Sequence, residues 1–343
     1  MRIKLTVRPF IIYVSGAVIS SIVALVVLIL YWPQNNSSGM VKVTIKQGET
    51  LSAISQHLAN VGVISNQRTF QWAVKVKGLE TNIPAGTFRL KDANNNSTII
   101  WQLVNSAPEL KKVTILEGWS LHQLAEYLTT EMGFGINEII GLSQDNAFIN
   151  LLEVPSNNLE GYLYPDTYYF FEGDTPRSVL TRLVKEYKKF WTDEIYSQAQ
   201  EMQMSEQDVV TLASIIEGEA VYDDERSVIS AVYHNRLKKG MKLQADPTVQ
   251  YIIDDGPRRL LNKDLEIDSP YNTYLYNGLP PGPINSPGSK SLYAALYPAD
   301  NRYLYFVAKG DGYHTFSNTE REHKRAKRAF QKIRRQVRKE QSN

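Results

Sequence analysis

One carboxylate is set apart by what precedes it. Ser205-Glu-Gln-Asp208 fits a capping box: the serine accepts from the third backbone N–H of a helix, and the acidic residue there reaches back. Met204 and Val209 flank it at the staple positions. The predicted helix reads Val209-Val-Thr-Leu-Ala-Ser-Ile-Ile-Glu217, with Val209, Leu212, Ala213 and Ile216 on one apolar face. Glu217 follows Ala213 by four residues, at the margin of that face, and Gly218 weakens or ends the helix. Apolar surroundings disfavour the charged form of a carboxyl. An acid that keeps its proton near neutral pH is what a general acid needs in order to protonate a leaving oxygen. A solvated glutamate at a helix end has the same spacing, so position alone does not decide. Glu219 does not face Glu217 on a helix, yet its charge could assist it. Asp246, ahead of Pro247, is either a further carboxylate or a turn opener.

Other chemistries are excluded or unsupported. The chain has no cysteine, which removes disulfides, thiolate metal sites and a thiol nucleophile. Its five histidines are scattered and no HExxH occurs, so no metal site is expected. A formal net charge of +2 does not point to nucleic acid. The 20 tyrosines offer flat apolar faces with a hydroxyl, which suit sugar rings, although most tyrosines of a folded chain complete its core.

The elements that must carry Glu217 follow from pattern. Residues 10–32 contain no charge and are long enough to span a hydrocarbon core. Arg2, Lys4 and Arg8 precede that run without an acidic residue. This predicts a cytoplasmic tail, 1–9, a transmembrane helix, 10–32, and everything later outside. A cleaved signal peptide would have a shorter apolar core and a small-x-small site, and no convincing site follows. Residues 33–40 read as a linker.

Next comes an internal repeat. Val43, Thr44, Ile45, Gly48, Leu51 and Leu58 align without a gap to Val113, Thr114, Ile115, Gly118, Leu121 and Leu128. Each copy predicts a strand, a glycine turn and a helix capped by Thr50 or Ser120. The expected fold class is α+β. A small module covers 41–110, a second α+β unit 111–200, and a mixed α+β domain 201–343 carries Glu217 and ends in a basic helix.

Several blocks are specific in order and spacing. They are Leu159-Glu-Gly-Tyr-Leu-Tyr-Pro-Asp-Thr-Tyr168, Ala213-Ser-Ile-Ile-Glu-Gly-Glu219, Val232-Tyr-His-Asn-Arg-Leu237 and Met241-Lys-Leu-Gln-Ala-Asp-Pro-Thr-Val249. Tyr271-Asn-Thr-Tyr274, Gly278-Leu-Pro-Pro-Gly-Pro-Ile-Asn-Ser-Pro-Gly288, and Tyr305-Phe-Val-Ala308 with Gly312-Tyr-His-Thr-Phe-Ser317 complete the set. Together they resemble the MltG (YceG-like) family of endolytic murein transglycosylases, over nearly the whole chain. The resemblance implies that Glu217 is the catalytic glutamate, acting as acid and then base. It would protonate the oxygen between N-acetylmuramic acid and N-acetylglucosamine, then take the proton of the C6 hydroxyl as a 1,6-anhydro ring closes. No cofactor or metal is implied. The family often has lysine where this chain has Gly218.

The first α+β module resembles a LysM-like glycan-binding fold, with a plain spacer as the alternative. Asn235, Gln244, Tyr271, Asn272, Thr273, Ser286 and His314 lie in the matching blocks and carry donor and acceptor types that sugars need. Asn272 and Thr273 would equally serve a turn, Gln244 a cap, and His314 or Tyr274 the core. The expected partners are peptidoglycan strands, the membrane through the N-terminal anchor and, as candidates, peptidoglycan synthases. Nucleic acid is not expected, because the basic helix from about Arg321 to Lys339 would lie outside the cell. This places the chain in a bacterial cytoplasmic membrane, crossing once. A hydrolytic muramidase pairing Glu217 with Asp246 or Glu219, and a non-enzymatic wall-binding scaffold, are the alternatives.

Overall fold

The computed structural model describes residues 7–34, 39–46, 48–90, 95–254, 256 and 258–340. Most of the expected tail 1–9, the centre of the expected linker and the side chains of the basic helix beyond Lys332 lie outside the described residues. The fold is mixed α+β and forms two compact units, residues 1–112 with 169–175 and residues 113–168 with 176–343.

The first unit opens with α1 (Val7–Tyr31), whose stretch Ile12–Tyr31 is long and apolar enough to cross a membrane. Near its end Val26, Ile29 and Leu30 recur at helical spacing and are half-buried. Ile29 and Leu30 pack on the core of this unit, and Asn96 donates to the Ile29 carbonyl at 2.8 Å. Just beyond, the Ser65 N–H donates to Gln34 Oε1 at 2.7 Å and Pro33 bridges Asn95.

Then follow β1 (Val41–Ile45), α2 (Leu51–Asn60), α3 (Gln67–Val76), β2 (Gly86–Leu90) and α4 (Asn96–Asn105). β1 and β2 pair antiparallel from Val41↔Leu90 to Ile45↔Gly86. Val43 and Ile45 point into the core with Ile54 and Leu58 of α2, Phe70 of α3 and Ile99 of α4. Thr50, Asn66 and Asn95 cap the three helices through their side chains, as their types favour.

The chain leaves this unit within β3 (Leu110–Thr114), which pairs with β4 (Thr167–Phe171). Between them lie α5 (Leu121–Met132), α6 (Ile136–Ser143) and α7 (Asn146–Leu151). The repeat holds at the level of geometry. Gly48 and Gly118 both take positive φ, 80° and 76°, where a side chain is strained. Ser120 makes a full capping box with Gln123.

The second unit continues through α8 (Pro176–Lys188), α9 (Asp193–Glu201), α10 (Glu206–Glu219), α11 (Asp223–Lys238), α12 (Asp246–Ile252), α13 (Ser289–Leu296), β5 (Tyr305–Ala308), β6 (His314–Ser317) and α14 (Glu320–Glu340). The helix predicted from the Ser205 box is α10, and the box forms with Asp208. It is not one-faced, because every residue from Val209 to Ile216 is buried. The buried Ser214 hydroxyl is satisfied by hydrogen bonds. Ser214 Oγ donates to the Thr211 carbonyl and accepts from the Ile284 N–H. α10 is thus the axis of this unit, packed by α11, α12 and α13.

Candidate active site

Glu217 lies in the last turn of α10, inside the second unit. Its Oε1 accepts from Arg226 Nη1 at 3.0 Å and its Oε2 from the Gly288 N–H at 3.0 Å. The two side chains are only 7% and 8% exposed, so the pair is buried. Sequence reasoning expects this carboxyl in apolar surroundings. The structure differs: both oxygens accept from groups that suit a carboxylate.

Local sequence explains the partners. α11 begins a few residues after α10 ends, and its first turn carries Asp223, Asp224 and Glu225, as a helix N-terminus favours. Arg226, one turn in, also donates to Asp223 Oδ1 at 3.1 Å and to the Ser291 hydroxyl. Burial works against the Arg226 charge, but Glu217 and Asp223 outweigh it and hold its proton more tightly than usual. Lys290, at the start of α13, pairs with the outer oxygen of Asp223. Gly288 is the residue ahead of α13, so the N–H on Glu217 belongs to a helix N-terminus.

The Pro- and Gly-rich segment 278–288 delivers that N–H. Asn285 Nδ2 donates to the Ser214 carbonyl at 2.9 Å, which fixes the segment along α10. A β-carbon on Gly161 would overlap the Pro283 ring, and one on Gly218 would lie 2.7 Å from Pro247. Glycine is therefore favoured at both places by these close approaches.

The turn of the second repeat copy closes the other side. The Gly118 N–H donates to the Ser286 carbonyl at 2.9 Å, and the Ser286 N–H to the Trp119 carbonyl at 2.8 Å. Glu117 thereby lies over Gly288, where a β-carbon would overlap its carboxyl. Partial burial, then the charge of Glu217, raises the Glu117 carboxyl above its ordinary range against the pull of Arg226 and Lys290.

Two further carboxyls lie in the same unit, Glu160 buried and Glu219 half-buried. Glu219 accepts from the Tyr233 hydroxyl at 2.9 Å, and burial followed by the charge of Asp246 pushes it up to about 7. Asp246 in turn accepts from the Tyr274 hydroxyl at 2.5 Å. Glu160 accepts from the Leu121 N–H at 2.9 Å and from Tyr251, and burial pushes it up to about 8.

Of the residues expected beside Glu217, only the backbone of Ser286 is brought into its immediate surroundings. Glu219 and Asp246 form their own cluster with Tyr233 and Tyr274. Asn235 donates to the Asn301 and Tyr303 carbonyls, both at 3.0 Å. Asn272 is fully buried and donates to the Leu265 and Ile267 carbonyls, and Thr273 accepts from the Ala245 N–H. His314 is held by both oxygens of Glu225 at 2.9 and 2.8 Å. Tyr271 is half-buried against Tyr251, while Gln244 is exposed with a positive φ of 48°.

Arg226, Glu117 and the Gly288 N–H were not found from the sequence. No sequence periodicity links Arg226 or Glu117 to Glu217.

Residues 43–329 match the model of the YceG-like family. The chain belongs to that family. Its relatives include an endolytic murein transglycosylase of Bacillus subtilis (strain 168), 36% identical over 312 residues that cover 87% of this chain and 86% of that one. Another, from Streptococcus pneumoniae serotype 2 (strain D39), also bears the name endolytic murein transglycosylase. It is 28% identical, with 84% of this chain matching 58% of that longer one. Among solved structures, a yceG-like protein of Listeria monocytogenes superposes with a TM-score of 0.59 at 34% identity, covering 84% of this chain and 99% of that one.

Proposed function

We propose that this chain is an endolytic peptidoglycan transglycosylase, with Glu217 as its acid and base. One observation carries the reading: at the end of the buried helix of a YceG-like chain, a glutamate is held by a buried arginine and a helix-start N–H. The named relatives supply the substrate class.

The reaction needs one carboxyl that changes state twice. Protonated, it gives its proton to the oxygen leaving N-acetylmuramic acid, and the substrate's own acetamido group stabilises C1 meanwhile. As a carboxylate, it then takes the C6 hydroxyl proton while the 1,6-anhydro ring closes. Arg226 and the Gly288 N–H stabilise the carboxylate that exists between the two transfers, without having to move. The protons balance, since Glu217 ends as it began.

The finer parts of the proposal have separate supports. α1 anchors the chain in the cytoplasmic membrane with its N-terminus inside, on the basis of Arg2, Lys4 and Arg8. The order β1, α2, α3, β2 supports a LysM-like role for residues 41–110. The half-buried Tyr271 and exposed Gln244 are the strongest candidates for sugar contacts among the polar residues of the matching blocks. Cutting within nascent strands would limit their length and bring the chain into contact with peptidoglycan synthases.

The test is mass spectrometry of products released from purified peptidoglycan by the full chain in detergent, wild type and Glu217→Gln. Anhydro-muramyl ends from the wild type alone are expected. Reducing ends would replace the proposal with a hydrolase, and intact strands with both proteins, still folded and wall-bound, with a scaffold.

A further inference from the structure

Tryptophan is on average one of the most buried side chains. Yet three of the five in this chain, Trp32, Trp72 and Trp101, are 62%, 60% and 61% exposed, and all three belong to the first unit. Trp32 follows α1. Trp72 lies on α3 and Trp101 on α4, two helices that pack on α1 and on one another. Both helices start level with the end of α1. The Ser65 N–H, just ahead of α3, donates to Gln34, and Asn96, the first residue of α4, donates to the Ile29 carbonyl. Each tryptophan follows the first residue of its helix by five, so it lies within about 8 Å of that start along the axis. A bilayer about 40–45 Å thick around a hydrocarbon core of about 30 Å leaves an interfacial layer of similar depth, about 5–8 Å on each side. The charges agree with that placement. Residues 67–77 carry Arg68, Lys75 and Lys77 and no acidic residue, and residues 96–105 carry no charge at all. Lys75 Nζ lies 5.7 Å from the centre of the Trp72 ring. An ammonium beside an indole suits a membrane surface, where aromatic rings sit among headgroups and cations meet anionic lipid.

We propose that α3 and α4 dock the first unit onto the surface of the bilayer that α1 crosses, with Trp72 and Trp101 in the headgroup layer and Arg68, Lys75 and Lys77 toward anionic lipid phosphates. This inference rests on the reading of α1 as a membrane anchor. Exposed tryptophans also stack on sugars, but sugar binding gives no reason for the rings to gather at the level where an apolar helix ends. Docking adds two points of attachment to the one that α1 supplies, and so fixes the tilt of the first unit against the membrane plane.

The test places the full chain in nanodiscs of phosphatidylglycerol and phosphatidylcholine, the latter brominated high on its acyl chains so that it quenches nearby tryptophan. Wild type is compared with the double variant Trp72→Phe, Trp101→Phe, whose exposed positions tolerate the change. With rings of similar brightness, docking brings three of five tryptophans within reach of bromine in the wild type and one of three in the variant. The quenched share of emission should therefore fall, from about three fifths to about one third. A first unit held clear of the lipid leaves Trp32 alone quenched, one of five in the wild type and one of three in the variant. The quenched share then rises on substitution, and that rise overturns the proposal. A rise together with a blue shift of wild-type emission on adding soluble peptidoglycan strands assigns the two rings to glycan instead. Failure of the anchor reading looks different: the chain does not co-elute with the discs and Trp32→Phe leaves quenching unchanged, which removes the docking with it. Neither result bears on the chemistry proposed for Glu217.

Discussion

Replacing Glu160 by glutamine should make this protein more stable at neutral pH. Glu160 is 4% exposed and has no cation beside it among the described residues; its carboxyl is held by the Leu121 N–H, Tyr251 and the Gly161 N–H. Burial lifts it from 4.5 to about 8. Between those values the folded chain keeps a proton that the unfolded chain releases, so stability is fully present below pH 4.5 and is lost as pH rises through about 8. At about 1.4 kcal/mol per pH unit, the whole interval amounts to about 5 kcal/mol, of which about 3 kcal/mol is lost by pH 7. Glutamine keeps an oxygen for the Leu121 N–H and has no proton to retain. Urea unfolding of the full chain in detergent, wild type against Glu160→Gln, measures the difference from pH 4 to 8.5. The two should converge near pH 4, and the variant should lead by up to about 3 kcal/mol at pH 7. Parallel pH dependences would refute the reasoning, because the proton would then be equally bound in both folded and unfolded states.

Other substitutions test the frame of the site. Gly218→Ala brings a β-carbon to 2.7 Å from Pro247. It should cost about 1–3 kcal/mol in thermal unfolding and lower turnover, despite the better helix propensity of alanine. Ser205→Ala removes the side-chain half of the capping box on α10 and leaves the backbone N–H of residue 205 on the Asp208 carboxylate. It should cost about 1 kcal/mol and lower the melting temperature by a few degrees, with KM unchanged. Glu217→Gln should abolish anhydro ends while leaving the circular dichroism spectrum intact.

Local grammar in this chain is legible. The Ser205 box, the Thr50 and Ser120 caps, the paired glycine turns and the apolar run of α1 each depend on residues within a few positions of one another, and each forms. Legibility fails where chain segments far apart converge. Arg226 and Gly288 reach Glu217 from 9 and 71 positions away, and only packing brings them together. Side-chain type was ambiguous for the polar residues of the matching blocks. An amide such as Asn272 suits a sugar and a turn equally, and here two backbone carbonyls take its donors. The buried polar face of α10 was unreadable for a similar reason: Thr211 and Ser214 look solvated until Ser214 is seen bonded to its own helix and to Ile284.

The seating of Ile29 and Leu30 on the first unit changes what α1 is. A leash tolerates cutting and lengthening. A beam whose end is built into a wall does not, and the Asn96 amide on the Ile29 carbonyl is the mortar of that joint. A chain shortened to begin after Tyr31 would bare the apolar seat of those two side chains and gain a tendency to self-associate. Flexible residues inserted at Pro33 would break the bridge to Asn95. The first unit is thus joined to the end of α1 by fixed contacts rather than by a free tether.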